Sequence, residues 1–311
     1  MSTRALITGG AGFIGSHLAK RLLREGYTVR IFDDFSSGHR ENLGDFQEEV
    51  EWFEGDIRNP DRILEACRGC DLILHQAAVA SVPRSIHEPR LTHEVNLDGT
   101  FNVLLAARDA SIQRVVIASS SSVYGETPTL PKTEGMPPAP VCPYAVHKLV
   151  SELYATQFSL HYGMEVVCLR YFNVFGPHQD PDSPYAAVIP RFVKRIQQGL
   201  PPLIFGDGSQ TRDFTYVENA VEANLLASRA KGVGGQVFNI ASGKQTTVRF
   251  IAEEVSRWMK WKGGLEFAPH RPGDILHSLA DISLAGKVLG YKPVVSLEEG
   301  LRRTLEWYAG C

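Results

Sequence analysis

Tyr144 and Lys148 lie four residues apart, directly after Pro143, where a helical stretch begins. That spacing puts both side chains on one helix face. A tyrosine hydroxyl, with a pKa of about 10, is too weakly acidic to serve as a base at neutral pH. A lysine ammonium beside it favours the phenolate, and a tyrosine lowered in this way can take a proton from a substrate hydroxyl. Four serines, Ser119, Ser120, Ser121 and Ser122, close an apolar run just upstream. One of them could share the tyrosine's hydrogen bond and relay the proton. Neither feature is specific alone: tyrosine and lysine at this spacing commonly mean one core and one surface residue, and a serine run can be a polar turn.

The stretch RALITGGAGFIGSHLAK, residues 4–20, supplies the context. Leu6, Ile7 and Thr8 suit a buried strand, and Phe13, Ile14, Leu18, Leu22 and Leu23 recur at helical spacing. Between them fall Gly9, Gly12 and Gly15. Strand, glycine turn and helix is the arrangement that cradles a pyrophosphate: the helix N-terminus offers free N–H groups and the positive end of its dipole. The spacing GxxGxxG differs from the standard GxGxxG fingerprint. A second strand ends in Asp33, 18 residues after Gly15, where an acid can hold an adenosine ribose diol and would repel a 2′-phosphate. NAD is therefore expected over NADP. Asp34 competes for this role, and one of the two acids can instead cap the following turn.

The elements that must position these groups alternate. Strands are expected at residues 5–8, 28–32, 50–54, 72–75, 115–119, 166–169 and 237–240, with helices at 62–67, 91–108 and 145–162. Such alternation implies an α/β fold, a doubly wound parallel sheet whose ligands bind beyond the strands' C-terminal ends. Regularity falls after Gly176, where HQDPDSPYAAVIPRF is rich in proline and aspartate and reads as a long functional loop or an inserted lobe. A helix running to about residue 229 and amphipathic helices at 248–259 and 296–308 follow.

Composition excludes several classes. The chain has 311 residues, 43% hydrophobic and 22% charged, with a net charge of −3 and scattered basic residues. This gives no nucleic-acid surface. No apolar run reaches membrane-spanning length and no signal-peptide pattern is evident, so a soluble, cytoplasmic protein is expected. Five cysteines argue against a disulfide framework. Cys67 and Cys70 form a lone CxxC without the two further ligands a zinc site wants. A redox pair there is the alternative to two ordinary buried thiols.

Together these residues resemble the extended short-chain dehydrogenase/reductases, and within them the nucleotide-sugar 4-epimerases. The resemblance spans essentially the whole chain. It rests on TGGAGFIG (8–15), Asp33, GDIR (55–58), NLDGT (96–100), SSSSVYG (119–125), YAVHK (144–148), RYFNVFGP (170–177), GDGSQTRDF (206–214) and RPGD (271–274). It implies a Rossmann-type NAD-binding domain of residues 1–175 and 213–241, and a smaller mixed α/β lobe of 176–212 and 242–311 for a UDP-sugar. Tyr144 would be the base, Lys148 would also hold the nicotinamide ribose, and Ser120 would be the catalytic serine. The implied cofactor set is Gly9, Gly12, Phe13, Ile14, Gly15, Asp33, Asp34, Asp56, Ile57, Gln76, Ala77, Ala78, Asn96 and Tyr171, with Tyr144 and Lys148. Ala80, Ser81, Ser121 and Ser122 would face the substrate. Asn173 would bind its diphosphate, and Ala187, Val188 and Ile189 would border the uracil. Arg212 and Arg271 would clamp the phosphates, a task that suits guanidinium geometry. Asp274 would face the uridine ribose.

The reaction implied is removal of the sugar 4-OH proton by Tyr144 with hydride transfer to NAD, turning of the 4-keto sugar, and return of the hydride to the opposite face. In related epimerases the residue at Ser278 closes the pocket around glucose when bulky and admits an N-acetyl group when small. Ser278 is small, so both UDP-glucose and UDP-N-acetylglucosamine are expected substrates. Three rivals remain. A 4,6-dehydratase would want an Asp-Glu pair where Ser121 and Ser122 stand. A UDP-glucuronate epimerase or decarboxylase would want an arginine at the carboxylate. A non-catalytic NAD-binding protein on the same fold would have no use for Ser120, Tyr144 and Lys148 together. The resemblance also implies a homodimer through the helices at 91–108 and 145–162, where Leu104, Leu105, Leu149 and Leu153 suit either the seam or the core.

Overall fold

A computed structural model describes residues 2–181, 187–269 and 276–310. Seven strands form one sheet: β1 (Arg4–Thr8), β2 (Thr28–Asp33), β3 (Glu51–Glu54), β4 (Leu72–His75), β5 (Arg114–Ser120), β6 (Glu165–Tyr171) and β7 (Val237–Ile240). Their order is β7-β6-β5-β4-β1-β2-β3, every neighbouring pair parallel. Parallel strands need crossovers, and helices provide them on both faces. These are α1 (Phe13–Arg24), α2 (Pro60–Cys67), α3 (Thr100–Asp109), α4 (Pro143–Tyr162) and, after the second lobe begins with α5 (Val188–Gln197), α6 (Val217–Arg229). Three helices complete the chain: α7 (Val248–Trp258), α8 (Ser283–Leu289) and α9 (Leu297–Ala309).

Alternation along each strand divides the core. Ile7, Val29, Ile31 and Leu74 bury against α1 and α6 on one face. Leu6, Phe32, Ile73 and Val115 bury with residues of α2, α3 and α4 on the other. Strand order reverses between β1 and β4, which opens the crevice at the strand ends where ligands of such sheets lie. A third cluster, with Phe192 from α5, Ile251 from α7 and Leu301 from α9, also takes in Phe175, Phe214, Tyr216 and Val217. This cluster thus packs onto the loop that follows β6 and onto the start of α6.

The helix expected at 91–108 differs from the pattern. It begins with Pro89–His93, passes through a π-helical turn at Glu94–Gly99, and only then continues as α3. Periodicity does not reveal this turn, from which Asn96 reaches out to hold the backbone of Val79. Among the described residues no helix is long and apolar enough to cross a membrane.

Candidate active site

Pro143 starts α4, a position where its missing N–H costs nothing. Cys142 gives this end no side-chain cap. Instead the buried Ser85 hydroxyl, from the short helix Val82–His87, accepts the Tyr144 amide at 3.2 Å. The face of α4 that carries Tyr144 and Lys148 lies against the end of β5. The Tyr144 phenol faces the Ser120 side chain, whose hydrogen-bonding pull acts to lower its pKa, and Ser120 Oγ accepts the Ser122 amide at 3.1 Å. That amide occupies a lone pair, leaving the serine's own proton free to be donated toward Tyr144. Lys148 Nζ lies 5.8 Å from the Tyr144 ring centroid and donates to the Ala118 carbonyl at 2.7 Å.

The expected lowering of Tyr144 does not occur in the polypeptide alone. Desolvation pushes its phenol up to about 12, and the Ser120 hydrogen bond only partly offsets this. Burial also pushes Lys148 down to about 8. Proximity of a lysine is thus not enough to make the phenolate; the same burial that brings the two together penalises both charges.

At the glycine loop, Gly9 has φ +68°, and a Cβ there would come within 2.7 Å of the Ala77 amide nitrogen. A Cβ on Gly15 would lie 2.1 Å from the Gly9 carbonyl oxygen. Gly12 caps α1 with no side-chain hydrogen bond and no acid in the first turn. The amides of Phe13 and Ile14 thus begin a helix whose positive end is left for an anion, and this cradle fits a dinucleotide pyrophosphate. The two acids at the end of β2 part company. Asp33, 7% exposed, accepts the Ala11 amide through Oδ2 and the Phe35 amide through Oδ1, both at 2.9 Å. Asp34 is on the surface and accepts the Ser36 amide and hydroxyl. Asp33 thus lies against the glycine loop, and Asp34 closes an exposed turn.

Asp56 pairs with Arg58, which also reaches Glu94, and these border an open cavity of about 490 Å³ beside Ile57. Gln76, Ala77 and Ala78 extend from β4 over the loop. Gln76 bonds Asn224 at 3.2 Å, and Asn224 donates to the Tyr171 hydroxyl at 2.6 Å. Asn224, fully buried on α6, is a site residue that sequence reasoning missed; a lone asparagine within a helix gives no signal. Asn96 commits both ends of its amide to Val79 and so shapes the strap holding Ala80 and Ser81.

Toward the second lobe, Asn173 adopts φ +36°, uncommon for a side-chain-bearing residue, and donates to the Asp213 carbonyl at 3.2 Å. Arg212 bonds the Thr211 and Leu276 carbonyls. Ser122 Oγ is buried with no hydrogen-bond partner among the described residues, next to the half-buried Ser121. Ala187 precedes α5 and Val188 opens it, whereas the Ile189 side chain is 1% exposed and lies in the second lobe's core. Ser278 is buried and its amide donates to the Thr211 carbonyl at 3.1 Å, tying it to Arg212's strand. Arg271 and Asp274 lie outside the described residues. Cys67 ends α2 and Cys70 follows in the connection; both are buried free thiols, and burial pushes Cys67 up to about 12, which makes it inert at neutral pH.

Comparison with known proteins agrees with this geometry. The model of the NAD dependent epimerase/dehydratase family matches residues 5–241. The UDP-glucose 4-epimerase of Mycolicibacterium smegmatis is 39% identical over 309 residues, 98% of each chain. The UDP-N-acetylglucosamine 4-epimerase of Methanobrevibacter ruminantium, solved with UDP-N-acetylmuramic acid, is 40% identical, with a TM-score of 0.94 over 99% of each chain. The UDP-glucose 4-epimerase of Thermus thermophilus, solved with NAD, is 35% identical, with a TM-score of 0.90 over 99% of this chain and 100% of that one.

Proposed function

The chain belongs to the NAD dependent epimerase/dehydratase family, and on that premise we propose that it is a UDP-sugar 4-epimerase. Its substrates are UDP-glucose and UDP-galactose, together with UDP-N-acetylglucosamine and UDP-N-acetylgalactosamine. The observation that carries the reading is the Ser120–Tyr144–Lys148 group, followed by Ser121 and Ser122 rather than an acid pair. Eliminating water across C5 and C6 needs an acid and a base at those places, and two hydroxyls supply neither. Relatives carrying both epimerase names support the substrate range.

Bound NAD supplies a hydride acceptor that becomes the donor on return, and its nicotinamide charge favours the Tyr144 phenolate that the polypeptide alone disfavours. Gly9, Gly12, Phe13, Ile14 and Gly15 hold its pyrophosphate, Asp33 its adenosine ribose, Asp56 and Ile57 its adenine. Gln76, Ala77, Ala78, Asn96 and Tyr171 form the wall beside it. Tyr144 takes the proton of the sugar 4-OH, and Ser120, oriented by the Ser122 amide, holds the oxygen as it becomes a ketone. The orphan Ser122 hydroxyl and its neighbour Ser121 bond the sugar. Asn173, Arg212 and Arg271 keep the diphosphate anchored while the keto sugar turns over. The proton then returns from Tyr144 to the C4 oxygen on the other face, so the net reaction is not a redox reaction. A small, buried Ser278 leaves room for the N-acetyl group. Arg191 stacks over Phe205 at 5.6 Å, which places its charge by that ring. A glucuronate carboxylate would want such a charge at the sugar.

Replacing Tyr144 with Phe removes the base and keeps the ring. Turnover should fall by about 10³-fold or more, with NAD still bound to the purified protein. Turnover within tenfold of the unmodified enzyme would sink the assignment.

A further inference from the structure

Behind the catalytic residues stands a buried charge that the reaction as proposed does not use. Glu152 is one turn beyond Lys148 on α4 and 4% exposed. Its Oε1 accepts the Ser119 hydroxyl at 2.5 Å and Arg170 Nε at 2.9 Å. Its Oε2 accepts Arg170 Nη2 at 2.7 Å. Arg170, near the end of β6, is also 4% exposed, and its guanidinium lies over the Tyr124 ring at 4.6 Å. Tyr124 OH in turn donates to Asn239 on β7 at 2.7 Å.

The spacing is regular. Tyr144, Lys148 and Glu152 recur every four residues along one face of α4. They meet three consecutive residues at the end of β5: Tyr144 faces the Ser120 side chain, Lys148 bonds the Ala118 carbonyl and Glu152 the Ser119 hydroxyl. Side chains alternate along a strand, so Ser119 and Ser120 point to opposite faces. Fixing Ser119 therefore fixes the backbone twist that aims Ser120. A buried ion pair with both oxygens satisfied is weak evidence for stability but good evidence for a single geometry.

We propose that Glu152 is a positioning residue of the catalytic group: paired with Arg170, it holds Ser119 and so the register of Ser120 against Tyr144. This rests on the assignment of Ser120, Tyr144 and Lys148 as the reacting side. The groups facing Lys148 are Tyr144, His147 and Glu152 from its own helix, His75 from β4, and Cys168 from β6. Burial holds His75 neutral and the Cys168 thiol protonated at neutral pH. Against its own burial, the bonds from Glu152 hold Arg170 above its ordinary range.

Two variants test this, each measured for NAD content, thermal midpoint, KM, kcat and the pH profile of kcat with UDP-glucose. Ser119→Ala keeps the ion pair and removes only its link to the strand. It should fold, retain NAD and KM, and lose about tenfold in kcat with an unshifted profile. The double variant Glu152→Gln with Arg170→Met removes both charges without stranding either. It should lose about 100-fold in kcat with NAD and KM retained and the pH profile unshifted, because an anion and a cation leave together. Both variants keeping kcat within twofold, or a loss that appears only as lost NAD or lost fold, would overturn the proposal. If the double variant does not fold, Ser119→Ala decides. An unmodified enzyme that fails to epimerise overturns the functional reading instead, whatever the variants do.

Discussion

Asp33 and Asp34 are identical side chains on adjacent residues, and the fold gives them different work. Asp33 is drawn in by the Ala11 and Phe35 amides, so its carboxylate lies against the glycine loop, where a ribose belongs. Asp34 folds back on Ser36 at the surface. The sequence alone leaves the choice open, because both acids follow the same strand. Burial holds the Asp33 carboxyl above its ordinary range, a cost that a bound diol offsets. Asp33→Ala is expected to weaken NAD binding by at least tenfold, measured by calorimetry on NAD-stripped protein, while Asp34→Ala stays within twofold. The reverse order would exchange their roles. Residues legible in the sequence were those with a fixed spacing or a motif: the glycines, Tyr144, Lys148 and the serine run. Ser85, Glu152, Arg170 and Asn224 were not, since each acts through a partner far along the chain.

At the scale of elements, the strands were legible because a doubly buried parallel strand reads as an unbroken apolar run. The π turn at Glu94–Gly99 was not: its apolar pattern reads as ordinary helix, and its Asn96 bonds to Val79, 17 residues away, leave no local signal. The four leucines expected at a seam or in the core are now separated. Leu104 is buried, Leu105 packs against the core cluster beneath α3, and Leu149 packs against the cluster of Val123, Tyr124 and Phe172. Leu153 is 57% exposed, and with Val146 and Leu160 it marks every seventh residue of α4. Three exposed apolar side chains on one stripe suit a helix that packs against a second copy. The expected homodimer is thus proposed through α4. Leu153→Arg with Leu160→Arg should convert it to a monomer of about half the mass in light scattering. A wild type that is already monomeric would contradict this pairing.

Over the whole molecule, a pair of histidines ties α1 to α9. His17 on α1 stacks on His178 at 4.8 Å, and His178 meets Trp307 of α9 edge-on at 5.4 Å. Burial pushes His17 down to about 4 and His178 to about 3, and in the sheet His75 to about 3. His75 accepts the Thr8 hydroxyl proton at Nδ1 and donates from Nε2 to Thr100, whose own proton goes to the Asn96 carbonyl. That chain suits the neutral ring, which burial favours. The unfolded chain binds these protons first, so their stabilisation is complete above pH 6.5 and is lost as pH falls toward 4 and 3. For His75 alone the loss is about 2 kcal/mol at pH 5. The thermal midpoint should therefore drop between pH 7 and pH 5, above the range where most carboxylates titrate; a flat midpoint would contradict three neutral buried rings. This bridging contact was invisible in the sequence, where 161 residues separate the two histidines, although the division into a regular first half and an irregular remainder was plain.

The reaction itself is the most direct test. The purified protein, with NAD present, would be given UDP-glucose and UDP-N-acetylglucosamine in separate incubations and the products resolved by proton NMR. The account predicts the galacto epimer of each sugar and no net reduction of NAD. Epimerisation of UDP-glucose alone would remove the role given to Ser278. A 6-deoxy-4-keto product, or no change in either sugar while UDP-glucuronate is converted, would contradict the assignment of this site as an epimerase of neutral UDP-sugars.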